Sequence, residues 1–295
     1  MHVFLTGATG YIGSAVADAL KGAGHKVSGL ARSQEKAKQL EARGIQACLG
    51  DLVRPETIAE AARGVDGVIH TANTNDESAA QADVAAVRAI LKVLEGTQKP
   101  FIYTSGVWVL GSTGNKMADE QSPVNPPVIV SHRPGLEQEV LGYKSKGVRT
   151  IVIRPAIVYG HGGGMLSMFV QSARDSGAAQ YVGDGQNHWS FVDVDDLAQL
   201  YVKALEKAAP GSLFNAAQGP CYRVREVAEA ASKGAGAKGK TTALPLDDAR
   251  KTMGPFADAL VLDQQISGEK AQRELGWAPH GRSALDELTA GSYLG

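Results

Sequence analysis

Thr6-Gly7-Ala8-Thr9-Gly10-Tyr11-Ile12-Gly13 follows an apolar run at residues 3–5 and opens a stretch of helical periodicity at residues 12–23. A turn between a strand and a helix suits a dinucleotide pyrophosphate when glycines stand at these places. Gly7 permits the tight turn, Gly10 lets the backbone approach the phosphates, and Gly13 lets the helix pack on the strand; the helix N-terminus then offers unpaired N–H groups to the anion. The competing reading, an ordinary strand-to-helix turn, is outweighed by the strand before it and the helix after it.

Outward from this turn, short β-branched runs alternate with amphipathic stretches. Strands are expected at residues 3–5, 26–30, 46–49, 67–71, 100–104, 150–153 and 213–216. Helices are expected at residues 12–23, 34–42, 55–62, 79–94, 134–146 and 194–207. That alternation predicts a doubly wound α/β fold with a parallel sheet of about seven strands. From Gly162 the pattern weakens: a Gly-rich turn, a helix at 166–174 and the polar stretch 182–190 interrupt it, and after Gly219 helices at 224–232 and 268–275 flank a Gly/Lys-rich loop at 233–240. The expected organisation is a Rossmann domain from residues 1–161 and 191–218, with a smaller, mostly helical substrate lobe from 162–190 and 219–295, over the carboxyl ends of the strands.

Composition narrows the function. Thirty basic residues against thirty-one acidic leave no charge excess for nucleic acid or an anionic membrane. Cys48 and Cys221 are the two cysteines, far apart and without metal-ligand spacing, which argues against a disulfide framework or a zinc site. No stretch reaches the roughly 18 apolar residues of a membrane helix. The N-terminus shows no basic region or cleavage site, so a cytoplasmic protein acting on a small molecule is expected.

The variant Gly-x-x-Gly-x-x-Gly spacing within TGATGYIG closely resembles the extended branch of the short-chain dehydrogenase/reductase superfamily, the epimerase/dehydratase type. Further matches run along most of the chain: Gly50-Asp51-Leu52, His70-Thr71-Ala72, Arg154-Pro155 with Val158-Tyr159-Gly160, residues 191–198 (FVDVDDLA) and residues 274–279 (ELGWAP). The resemblance implies that Gly7, Thr9, Gly10, Tyr11, Ile12 and Gly13 hold the pyrophosphate. It further implies that Asp51 and Leu52 border the adenine, that Thr71, Ala72 and Asn73 line the cofactor, and that Ser105, Arg133, Pro155 and Val158 lie toward the nicotinamide. A helix-paired homodimer is also an implication of the resemblance. For His70, a satisfied core histidine is the expected role.

NAD-preferring members of that superfamily end the second strand with a carboxylate that binds the ribose hydroxyls and repels a 2′-phosphate. Here Ala31 takes that place and Arg32 follows, its planar fork suited to phosphate; the cofactor expected is NADP(H), with Ser33 and Lys36 as helpers. A surface arginine on the loop is the competing reading.

The catalytic positions depart from the pattern. The superfamily pairs a tyrosine with a lysine four residues later on one helical face, where the ammonium lowers the phenol's pKa and binds the nicotinamide ribose. None of the eight tyrosines has that lysine. Anchoring on Glu137 puts Ile129 at the tyrosine position and Arg133 at the lysine position, and the residue-101–111 stretch puts Gly106 at the usual Ser/Thr with Ser105 beside it. Ser105, Arg133 and His132 are therefore the catalytic candidates: Arg133 as a cofactor clamp, since an arginine does not readily relay a proton, and His132 as the titratable neighbour. Trp108, Tyr159, His161 to Gly164 and His188-Trp189 are candidates for the substrate space. Asp195 and Asp196 are expected to cap the helix that begins there. Three readings stay open: an atypical NADP(H)-dependent reductase of a small apolar carbonyl or enone, a non-catalytic NADP(H)-binding sensor, and a sugar-nucleotide epimerase or dehydratase, the last disfavoured by the missing tyrosinate.

Overall fold

The computed structural model describes residues 1–294. Its N-terminal half alternates β1 (His2–Thr6), α1 (Tyr11–Gly22), β2 (Lys26–Ala31), α2 (Gln34–Ala42), β3 (Gln46–Leu49), α3 (Pro55–Arg63), β4 (Gly67–His70), α4 (Ala79–Leu94) and β5 (Pro100–Thr104). A two-residue strand β6 (Met117–Ala118) precedes α5 (Arg133–Gly142), β7 (Arg149–Pro155), β8 (Ile157–Tyr159), α6 (Leu166–Ser176), β9 (Ala179–Val182) and β10 (His188–Asp193). Then follow α7 (Val194–Lys207), β11 (Ser212–Ala216), β12 (Gln218–Arg223), α8 (Val224–Gly234) and β13 (Thr241–Leu244). The chain closes with α9 (Leu246–Met253), α10 (Phe256–Leu260), β14 (Gln265–Ile266), α11 (Glu269–Leu275) and α12 (Ala284–Ala290).

Seven strands form one parallel sheet in the order β11-β7-β5-β4-β1-β2-β3. The two-residue side-chain period of a strand explains its burial on both faces. Val3, Leu5, Ile69, Ile102, Ile151 and Ile153 face one layer, with Val16 and Leu20 of α1 and Leu197 and Leu200 of α7. Phe4, Val68, Phe101, Tyr103 and Val152 face the other, with Ile58 of α3, Val87 and Ile90 of α4 and Leu136 of α5. The strand order reverses between β1 and β4, and a crevice opens there at the carboxyl ends, as in other doubly wound sheets.

A third apolar cluster joins α6, α8, α9, α10 and α12 with β8, β9 and β10. The expected smaller, mostly helical lobe also carries short strands that the sequence pattern does not announce. The segments from 157 on also supply a three-stranded sheet (β12-β10-β8) and a two-stranded one (β13-β9), while β14 pairs with β6. These strands are two to six residues long, and they begin or end in polar or glycine-rich sequence, so they carry little alternation. Two other boundaries shift. Residues 134–146 divide into α5 and a 3₁₀ turn at Tyr143–Lys146, stopped by left-handed Gly147. The cap of α7 is Asp193, whose carboxylate accepts the N–H groups of Asp195 and Asp196. Asp196 is instead buried and accepts the N–H of Gly281 at 2.7 Å and the Gln218 amide at 2.9 Å.

Candidate active site

The glycine turn is held by contacts that leave no space for side chains. Gly7 has φ +77°, and a Cβ there would come within 2.7 Å of Thr71 Oγ1 and 2.9 Å of the Ala72 nitrogen; a Cβ on Gly13 would strike the Gly7 carbonyl. Thr6 sets the opposite wall: its hydroxyl accepts the N–H groups of Thr71 and Ala72, and Thr71 Oγ1 donates to the Thr6 carbonyl at 2.7 Å. Gly10 is the N-cap of α1 and carries no capping side chain, so the first-turn N–H groups of the helix are free for an anion. Gly7, Thr9, Gly10, Tyr11, Ile12 and Gly13 line a crevice of about 490 Å³, opposite Leu52, Thr71, Ala72 and Asn73.

At the far end of that crevice β2 stops at buried Ala31, and Arg32 and Lys36 project from the loop and the start of α2 into its wall. Ser33 lies outside the wall: its hydroxyl accepts the Lys36 N–H at 3.2 Å as the cap of α2. Asp51 is also outside, its carboxylate holding the Val53 N–H at 3.3 Å, whereas neighbouring Leu52 is in place. Leu30, Thr74 and Asn75 complete the wall. Sequence reasoning did not name them because the 74–75 loop has no motif of its own.

A second cavity of about 330 Å³ shares Tyr11, Ile12, Thr71, Ala72, Asn73 and Asn75 with the crevice and continues it over the ends of β5 and β7. Ser105, Arg133, Pro155 and Val158 meet here, joined by Asp83, Thr104, Trp108 and Met165. Ser105 Oγ and Arg133 Nε are buried with no hydrogen-bond partner among the described residues. Buried polar atoms seldom stay unpaired unless a ligand or water completes them, and these two belong to residues that line the cavity. Four residues on from Arg133, Glu137 is locked to Arg154 of β7 by a buried bidentate pair at 2.9 and 2.5 Å.

The proton side of this cavity is bare. Ile129 sits in a 3₁₀ turn and does not reach the wall, and Gly106 presents no hydroxyl. Tyr11 does border the cavity, but its hydroxyl donates to the Gly160 carbonyl at 2.8 Å, and burial, reinforced by Tyr293 and Asp193, pushes its pKa far above the ordinary phenol value. It cannot replace the missing tyrosinate.

His132 stands behind the wall, its Nε2 3.1 Å from Asp83 Oδ2. The same carboxylate receives the Tyr103 hydroxyl at 2.7 Å and contacts His70 Nε2 at 3.1 Å, while His70 Nδ1 meets Thr6 Oγ1 at 2.8 Å. Burial alone would raise the Asp83 pKa, but the hydrogen bonds from His132, His70 and Tyr103 and the His70 charge hold it well below the usual carboxylate range. His70 is thus a satisfied core histidine. The network ties β1, β4, β5 and α4 to the turn before α5.

The other substrate-space candidates separate. Trp108 lines the cavity and packs edge-on against Phe256 at 5.9 Å. Tyr159 is buried away from it, donating to the Arg282 carbonyl. His161 pairs with Asp195 on the surface, where both are more than half exposed, and only Gly164 of that turn reaches the cavity. His188 is held by Asp263 at 2.9 Å, and Trp189 borders a separate apolar pouch. Among the described residues no metal-binding cluster occurs and no helix is long and apolar enough to cross a membrane.

Comparison with known proteins agrees with this architecture. The model of the NAD-dependent epimerase/dehydratase family matches residues 3–217. An uncharacterized protein of Schizosaccharomyces pombe is 35% identical over the whole of both chains. A 4-hydroxy-2-methyl-3-oxo-4-farnesyl-3,4-dihydroquinoline-1-oxide ketoreductase of Stigmatella aurantiaca is 25% identical over 94% of this chain and 92% of its own. In fold, the chain is similar to a dTDP-glucose 4,6-dehydratase from Streptomyces venezuelae solved with NAD, with a TM-score of 0.84 at 22% identity, covering 99% of this chain and 96% of that one. The glycine cradle and the free helix N-terminus fit a nicotinamide dinucleotide, and the chain belongs to the NAD-dependent epimerase/dehydratase family within the extended short-chain dehydrogenase/reductases, without its Tyr-x-x-x-Lys pair.

Proposed function

We propose that the protein is an NADP(H)-dependent reductase of a small, apolar carbonyl or enone. The observation that carries this reading is the second cavity: two buried unpaired polar atoms, Ser105 Oγ and Arg133 Nε, in a wall otherwise rich in Trp108, Val107, Ile157, Val158 and Met165. Such a wall favours a compact apolar molecule with one polar group. Arg32 and Lys36 around the 2′ end of the crevice, with Ala31 where a carboxylate would repel phosphate, support NADP(H) over NAD(H). The similarity to a ketoreductase points the same way.

A nicotinamide dinucleotide held by the Gly7–Gly13 turn would supply hydride when bound. Arg133 and Ser105 hold the substrate oxygen and stabilise the charge that grows on it, and water entering the open cavity delivers the proton, since Arg133 cannot and Asp83 is held ionised by its partners. The test is NADPH consumption with a panel of aldehydes, ketones and enones. Substrate-dependent oxidation that falls sharply in Arg133→Ala is expected; tight NADPH binding with no oxidation by any member would overturn the reading.

The bare proton side favours a second reading, a non-catalytic NADP(H) sensor. It requires a partner whose association changes with cofactor, and pull-downs that recover the same proteins with and without NADPH would remove it. A sugar-nucleotide epimerase has less support, because deprotonating a sugar hydroxyl needs the base that Ile129 replaces.

A further inference from the structure

We infer that the apolar pouch beside the reduction cavity is a subsite for the hydrocarbon tail of the substrate, an unbranched alkyl chain attached to the reacting carbonyl; the identity of that carbonyl rests on the reductase reading. The pouch has a volume of about 40 Å³ and is walled by Met165, Met168, Phe169, Trp189, Met253 and Leu260. Met165 borders both this pouch and the reduction cavity, so a chain leaving the carbonyl enters the pouch by displacing that one flexible side chain. Polar recognition of a sugar or a nucleotide has little to grip in such walls.

Two features suit a space that opens on demand rather than a fixed void. Three of the six wall residues named are methionines, whose unbranched side chains rearrange at little cost. Met168 is 45% exposed, so it can swing outward without disrupting a packed core. Trp189, 3% exposed, completes the apolar lining.

The experiment is calorimetric titration of the NADP⁺-loaded protein with the ketones from 2-butanone to 2-octanone. Affinity is expected to rise about two- to fourfold per methylene before it levels off. Met253→Trp, which fills the pouch, should abolish that rise, and Met168→Trp, entering from the exposed wall, does the same should the first variant fail to fold. Affinity independent of chain length in the wild type, or a rise retained in both variants, overturns the pouch assignment. A rise with no NADPH consumption overturns the reductase reading and leaves the pouch standing; consumption with a flat affinity series does the reverse.

Discussion

The two halves of the groove are built on different principles. In the phosphate half the backbone does the binding: Gly7 and Gly13 press against Thr71 and against each other, and any side chain there collides with the main chain. In the nicotinamide half side chains do it. Arg133 and Ser105 line the cavity and each holds a buried, unpaired polar atom, a Cβ on extended Gly106 would meet the Arg133 guanidinium at 3.2 Å and the Pro155 carbonyl at 3.9 Å, and Ile129 stays out of the wall. A backbone site tolerates almost no substitution, whereas a side-chain site can lose its usual acid and still hold the same cofactor. This family member has kept the first half intact and altered the second.

The contrast is broken most severely in the phosphate half. Gly13→Val should eliminate the stabilisation conferred by NADPH, about 4 kcal/mol at a thousandfold excess over Kd; thermal melting with and without NADPH measures it, and a retained shift would mean the turn is more pliable than its contacts indicate. Next comes Asp83→Ala, which leaves His70, His132 and Tyr103 without their common acceptor. Urea unfolding should show a loss of about 3 kcal/mol, with NADPH affinity little altered, because the crevice proper is untouched. The sign of the accompanying pH dependence follows from the lowered Asp83 pKa. Its contribution is present above the unfolded carboxylate value of about 3.9 and is lost as pH falls toward the depressed folded value, so the wild type should lose more stability than the variant below about pH 4.

Arg32→Ala sharpens the comparison at the outer end of the crevice. It should weaken NADPH by about 2 kcal/mol, or roughly thirtyfold, and leave NADH nearly unchanged; equal losses for both cofactors would refute the phosphate role. The smallest effect belongs to the nicotinamide half. Gly106→Ser should change stability by less than about 0.5 kcal/mol, since φ is 177° and the nearest atom is the end of the long Arg133 side chain, 3.2 Å from the new Cβ. Melting that drops as far as in Gly13→Val would show that the two halves are equally rigid.

Local sequence carries the phosphate half because each of its requirements is local: a strand, three glycines at set spacing and a helix start, all within residues 3–13. The seven-stranded sheet follows from the same kind of signal, buried β-branched runs alternating with amphipathic helices. What the residues did not announce were features made by distant segments. Asp83 reads as the one acid of a helix that also carries Arg88 and Lys92, until β4, β5 and the turn before α5 bring His70, Tyr103 and His132 to it. Asn75, Met165 and the short strands of the smaller cluster likewise acquire meaning only from what packs beside them.

The sequence by itself determined the doubly wound fold, the family and the cradle for a dinucleotide, because periodicity and glycine spacing act over one or two elements. Tertiary structure decided the rest: that Ser33 caps a helix instead of lining the crevice, that His132 serves a buried carboxylate and stands behind the cavity wall, and that Met165 joins two cavities. Those outcomes depend on which side chains meet across the sheet and between lobes, and a linear pattern contains no term for that meeting.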